Sequence, residues 1–294
     1  MIELAQTTIG GVLTGLVYGL VALSFVVIYR AARIVNVAQG QLVLVGAFLL
    51  WTAASALGLP LWLAVPAALA GTGLLGVVLE RLVFRPLVGQ SGFTIVLATI
   101  ALLVLLQGLV QLLWGAETRP FPAVLPSGSL HLGPFRLNRT LLLGGVLTVL
   151  LTEVLHWFFL HTREGLRLAA VAEDHFTALS MGISVRRATT IAWLLGGALA
   201  CLAAMVLLSG RLLGASAAGI GFVALPVALL GGLESVRGAA LAGVIVGVGE
   251  ALASAYLDPL TNGAMSPIFP FALMVIVLLI RPQGLFGWRV IERL

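Results

Sequence analysis

Apolar residues in this chain run together in blocks rather than alternating with polar ones. A window of about 19 residues separates segments near 7–29, 38–58, 61–80, 93–114, 140–160, 189–210, 217–233, 238–257 and 267–280. Each approaches the roughly 20 residues that a helix needs, at about 1.5 Å per residue, to cross about 30 Å of hydrocarbon. The pattern predicts an all-α, polytopic integral membrane protein with about nine transmembrane helices. No linker divides it, so residues 1–294 read as one membrane domain. The seventh segment is the weakest: it is short, contains Pro226 and is bounded by Ser216–Gly219 and by Gly231-Gly232.

Arginine placement bears on that segment and on orientation. With nine crossings and the amino terminus outside, the inner side holds Arg30, Arg33, Arg81, Arg85, Arg163, Arg167, Arg186, Arg187, Arg237, Arg281, Arg289 and Arg293. The outer side then holds Arg119, Arg136, Arg139 and Arg211, a division of the 16 basic residues into 12 and 4. If 217–233 entered and left on one side, Arg237 and the three C-terminal arginines would change sides, giving 8 and 8. The excess of basic residues on cytoplasmic loops favours the crossing, with the carboxyl terminus cytoplasmic. The opening Met-Ile-Glu-Leu lacks the positive segment of a secretory signal, so the first span is expected to be retained.

Composition narrows the classes. Apolar residues make up 61% of the chain and charged ones 9%, against about 45–50% and about 25% in soluble domains. Such a surface belongs in lipid. Every basic residue is Arg; the phosphate-binding G-x-x-x-x-G-K-[ST] loop needs a Lys, so ATP hydrolysis is not expected of this chain. Cys201 is the single cysteine, which excludes an intrachain disulfide and a multi-Cys metal site. The net charge of +5 is strung between apolar runs rather than clustered, so no nucleic-acid partner is expected. Nothing calls for a cofactor.

Two connections are longer than turns. Residues 115–139, rich in Pro and Gly, fall outside (periplasmic); residues 161–188 fall inside. Within the latter, Arg167 to Met181 favours a helix, and Gly182 suits its C-cap. Glu173, Asp174 and His175 stand together at its middle. Taken alone, this is a solvated helix on the membrane face.

The order of its residues adds more. Glu173-Asp174 with Ala178, Gly182-Ile183 and then Arg186-Arg187 resembles the coupling loop of bacterial ABC importer permeases. Four further stretches are similar to the branched-chain amino acid permeases of the LivH type: Ile34–Ala47, Val77–Pro86 (with Glu80-Arg81 and Arg85-Pro86), Leu229–Glu250 and Arg281–Gly287. The five lie in the order of that family and span most of the chain. One position departs: Gln39 stands where many members have His, which bears on the exact substrate. The resemblance implies a non-enzymatic permease subunit in the bacterial inner membrane. It would work with a second permease chain, two ABC ATPase subunits and a solute-binding protein, and carry leucine, isoleucine and valine, or alternatively urea or short amides. Arg167, Glu173, Asp174, Ala178 and Gly182 would then meet the ATPase. The acidic residues would supply charged contacts, and the small ones would let backbones approach.

Ionisable residues at membrane depth cost about 2.5–3.5 kcal/mol on insertion scales and so mark functional candidates. Glu153 and His156 share a helix face in the fifth segment, and Glu250 lies in the eighth. The first two have the E-x-x-H spacing of di-iron bundles, but no second copy exists. Glu250 is either a packing hydrogen bond or part of a moving interface. It shares a segment with Gly238, Gly243 and Gly247, whose spacing favours close helix contact. Asn36, Gln39 and Gln41, beside Gly40 and Gly46, open the second segment. Their amides could serve a helix break lining a solute path or lie at headgroup level. Asn36, Gln39, Gly40 and Glu250 are therefore the path candidates. A secondary transporter would use an intramembrane carboxylate pair or inverted repeats, and an intramembrane enzyme a nucleophile–base set; neither accounts for the 161–188 loop.

Overall fold

The computed structural model describes residues 1–173 and 175–287. Asp174, Arg289 and Arg293 lie outside the described residues. The apolar segments form α1 (Ile2–Ala32), α2 (Gln39–Trp51), α3 (Leu61–Leu79), α4 (Gly92–Trp114) and α5 (Arg139–His161). The 161–188 connection forms α6 (Arg163–Glu173) and α7 (His175–Ser180). The remainder forms α8 (Val185–Leu208), α9 (Ile220–Gly231), α10 (Val236–Tyr256), α11 (Asp258–Thr261) and α12 (Met265–Ile280).

Among the described residues, seven helices are long and apolar enough to span a bilayer, counting the π-helical turns Thr52–Ala56 and Glu80–Phe84 that extend α2 and α3. The seventh and ninth apolar segments form shorter helices. The seventh is α9 preceded by a 3-10 turn, Ala215–Gly231 in all, with Pro226 inside it. With about 2.0 Å per residue over the five 3-10 residues and about 1.5 Å over the twelve α-helical ones, it reaches about 28 Å, close to the roughly 30 Å of hydrocarbon.

The chain forms two compact units, and α1, α5 and α9 each pass from one to the other. The first comprises Met1–Val26, Gly128–His156 and the residues from Val223 on. Here α1 and α10 run antiparallel in close contact. A Cβ on Gly11 would lie 2.8 Å from the Cα of Val248, and one on Gly15 2.9 Å from that of Val244. One on Gly19 would lie 3.1 Å from the Cα of Ala240. Glycine every fourth residue on one helix meets small residues on the other, so dispersion between backbones replaces the hydrophobic drive that lipid abolishes. A hairpin, β1 (Ser129–Leu132) and β2 (Phe135–Asn138), is tied to the start of α1 by Gln6. Gln6 Nε2 donates to the Arg136 carbonyl at 2.7 Å and Gln6 Oε1 accepts the Arg136 N–H at 3.0 Å.

The second unit, Val27–Ser127 and Trp157–Phe222, is built on α2, α3 and α8. Helices α3 and α8 cross antiparallel at glycine: a Cβ on Gly197 would lie 3.1 Å from the Cα of Gly73, and one on Gly76 would strike the Trp193 carbonyl. Phe84 stacks on the buried Trp193 ring at 4.5 Å. Helix α2 is enclosed on nearly every side, whereas α4 buries one stripe, Thr99, Leu102, Leu106 and Val110. Its other faces expose Phe93, Leu97, Ile100, Val104 and Leu112. Apolar residues all round thus serve protein contact on α2 and lipid contact on most of α4.

Candidate functional site

The connection between α5 and α8 is anchored at several points among its described residues. A Cβ on Gly165 would lie 2.7 Å from the Cα of Phe159, so glycine lets α6 fold back over the end of α5. Gly165, Leu168 and Val171 are buried, and Glu173 on the last turn is exposed. The Arg33 Nε donates to the Ala172 carbonyl at 2.8 Å, a cation at the helix C-terminus. Arg167, about half exposed, donates to Glu164 at 2.7 Å, and Arg187 reaches the same carboxylate at 3.1 Å. Gly182, at φ +76°, ends α7. Its N–H donates to the Leu179 carbonyl and that of Ile183 to the Ala178 carbonyl, both at 2.9 Å. This is the Schellman pattern, in which a left-handed residue satisfies the last carbonyls. Ser184 then caps α8 by accepting the Arg187 N–H at 3.3 Å.

Ala178 and Gly182 therefore shape the segment itself. Ala178 is buried within the chain, and the space around Gly182 is open. Glu173 and Arg167 are the exposed polar positions of the same segment.

A cluster that the sequence did not single out lies beside this segment. Glu80, 4% exposed at its side chain, accepts Arg85 Nε at 3.1 Å and Arg85 Nη2 at 2.8 Å. The Thr189 and Thr190 hydroxyls of α8 reach its two oxygens at 3.1 and 3.2 Å. The end of α3 is thus fastened to the first turns of α8, just after the Gly182 cap. The E-R-x-x-x-R-P stretch held the first two residues; their threonine partners, over a hundred positions away, left no local signal.

Asn36, Gln39 and Gly40 come together in the second unit. Asn36 Oδ1 accepts the Ala38 N–H at 3.1 Å, and its Nδ2 donates to Gln39 Oε1 at 3.0 Å. Gln39 Nε2 donates to the Gly196 carbonyl, halfway along α8, at 3.3 Å. A Cβ on Gly40 would lie 2.9 Å from the Cα of Gly221. Residues 33–38 are irregular, and both amides are buried in serving them. Non-helical backbone alongside a spanning helix needs such partners. Gln41 is also buried, with Oε1 lacking a protein partner.

Glu250 belongs to the first unit. Its Oε1 accepts the Tyr18 hydroxyl of α1 at 3.3 Å, while Oε2 is buried without a partner among the described residues. Both residues line a groove of about 440 Å³. Glu153 is engaged by Arg237 of α10, through Nε at 2.9 Å and Nη2 at 2.5 Å. The E-x-x-H pattern thus resolves into an ion pair at Glu153. Between α10 and α12, Asp258 Oδ1 accepts the N–H groups of Met265 and Ser266, each at 3.0 Å. The Ser266 hydroxyl, with these N–H groups, holds the Asp258 carboxyl below its usual range.

Residues 7–278 match the family described as "Branched-chain amino acid transport system / permease component". The chain belongs to this family. Among curated relatives, the permease is 30% identical to the "High-affinity branched-chain amino acid transport system permease protein LivH" of Salmonella typhimurium, over 98% of this chain and 97% of that protein. It is 28% identical, with the same coverage, to the protein BraD of Pseudomonas aeruginosa, which carries the same description. A solved structure, "PsaBC from Streptococcus pneumoniae in complex with Fab", aligns over 93% of the permease and 91% of that chain at 14% identity, with a TM-score of 0.47. That likeness is too distant to bear on the site.

Proposed function

We propose that this permease is the membrane subunit of an ATP-binding-cassette importer that carries branched-chain amino acids across the bacterial inner membrane. The observation that carries this reading is the full-length match to relatives described as high-affinity branched-chain amino acid transport permeases. The amino terminus lies outside and the carboxyl terminus in the cytoplasm, as the arginine distribution favours. Residues 115–139 then face the periplasm, where a solute-binding protein delivers its ligand.

The 161–188 loop faces the cytoplasm and docks on a separate ATPase. Glu173 and Asp174 supply charge there, and the Gly182 cap and the Arg33–Ala172 bond give the knob its stiffness. The Glu80–Arg85–Thr189–Thr190 cluster passes its displacement to α3. Two such knobs serve an ATPase pair, so a second permease chain completes the assembly. Asn36, Gln39 and Gly40 keep the non-helical entry to α2 closed on the cytoplasmic side. The side chain of Gln39 is occupied by Asn36 and Gly196, so its departure from His does not favour urea or amides.

The test is uptake by the complete complex in proteoliposomes. L-Leucine, L-isoleucine and L-valine should accumulate with ATP and binding protein, and urea should not compete. Glu173→Ala with Asp174→Ala should leave the permease inserted while uptake and solute-stimulated hydrolysis fall together, because charged interface contacts set register and on-rate. Undiminished uptake by that variant would remove the docking role from the loop.

A further inference from the structure

We propose that the groove between α1 and α10 holds the ammonium group of a zwitterionic amino acid at Glu250. The inference deepens the importer reading and rests on it. The groove's volume, about 440 Å³, falls among small-molecule sites. Its polar lining is Thr7, Thr14 and Tyr18 of α1, Glu250 and Ser254 of α10, and Ser266 of α12. Spacings of seven and four put the α1 residues on one helix face, and a spacing of four does the same on α10. This stripe runs beside the glycine contact that joins the two helices. From Thr7 to Tyr18 it covers about 16 Å, roughly half of the hydrocarbon depth.

The chemistry of the lining is one-sided. Among the described residues it has one carboxylate and five hydroxyls, and no Arg, Lys or His. It suits a cation that also needs hydrogen-bond acceptors, and its hydroxyls can donate to a carboxylate. Glu250 is incompletely satisfied: Tyr18 serves one oxygen through a long bond, and the other is buried with no partner among the described residues. A buried acceptor without a donor is costly, and a primary ammonium brings three donors and the opposite charge. A purely structural glutamate would have both oxygens bound by the helices it joins, as Glu80 does in the second unit. Carboxylates at membrane depth characteristically mark substrate and ion pathways.

The test uses the complete importer in proteoliposomes with Thr14→Cys or Ser254→Cys. The native Cys201 is fully buried, so labelling reports the introduced thiol. A trimethylammonium methanethiosulfonate should react faster than its sulfonate counterpart by about tenfold or more, as expected of a cleft focusing negative potential. Glu250→Gln should abolish that preference without blocking the reaction. L-Leucine should slow labelling, while 4-methylpentanoate, the same molecule without the ammonium, should not. Failure of both cysteines to react, a preference that survives Glu250→Gln, or equal protection by the two compounds would each overturn the proposal. Loss of leucine uptake in the unmodified complex would instead defeat the importer reading, and the charge preference would still decide the nature of the groove.

Discussion

Removing the Arg85 guanidinium should be among the most damaging single changes on the α3–α8 side of the permease. Glu80 is almost wholly enclosed, and four donors point at its carboxylate. They are not equal. The Thr189 hydroxyl also faces the carbonyls of Val185 and Arg186, and that of Thr190 the Arg186 carbonyl at 2.8 Å. A hydroxyl has one proton, so each threonine divides its donation, and the arginine fork is the committed partner. Stranding one member of a fully buried ion pair costs about 3–5 kcal/mol. The Arg85 side chain is 34% exposed, so solvent already screens part of the attraction, and about 2–3 kcal/mol is expected for Arg85→Ala. Glu80→Met keeps the shape, removes the charge and leaves an arginine that can reach water, for about 1 kcal/mol. The double variant should cost little more than Glu80→Met alone, a coupling of about 2–2.5 kcal/mol. Thermal stability of the detergent-solubilised complex, read across the four proteins, measures the cycle. Additive losses, or an Arg85→Ala no weaker than wild type, would show that the cluster is not the brace described here.

Particular contacts set the outcomes of further substitutions. Gly15→Val should separate α1 from α10 and destabilise the permease by about 3 kcal/mol, since the atoms its Cβ meets are backbone and cannot yield. Gly10→Ala, with nothing within 4 Å of its Cβ position, should fall within about 0.5 kcal/mol in the same melting assay. Gly182→Ala should cost about 1–2 kcal/mol for its left-handed φ, and Gly182→Asn less, when melting midpoints are compared. Asp258, with its carboxyl held low by Ser266 and Met265, stabilises the α10–α12 connection above the ordinary carboxylate range. That contribution should vanish as pH falls through its depressed folded value, so Asp258→Asn should flatten the acid side of the melting-midpoint profile. An unchanged acid slope would refute it.

Much of the architecture was legible without coordinates because lipid imposes a one-dimensional code. A span must be apolar over a fixed length, so the nine segments, the helix of the 161–188 loop and the Gly182 cap could be read from composition and local order. The spacing of Gly243 and Gly247 was equally visible as a small-residue seam, but its partner was not. Only the tertiary structure decided that this seam meets Gly11, Gly15 and Gly19, that Tyr18 faces Glu250, and that Glu153 is held by Arg237. It also turned Ala178 inward and joined Glu80 to threonines over a hundred residues away. The physical reason is the same in each case. Hydropathy and capping depend on a residue and its near neighbours, whereas the partner of a buried charge or of a bare glycine backbone is set by which helices cross and at what height.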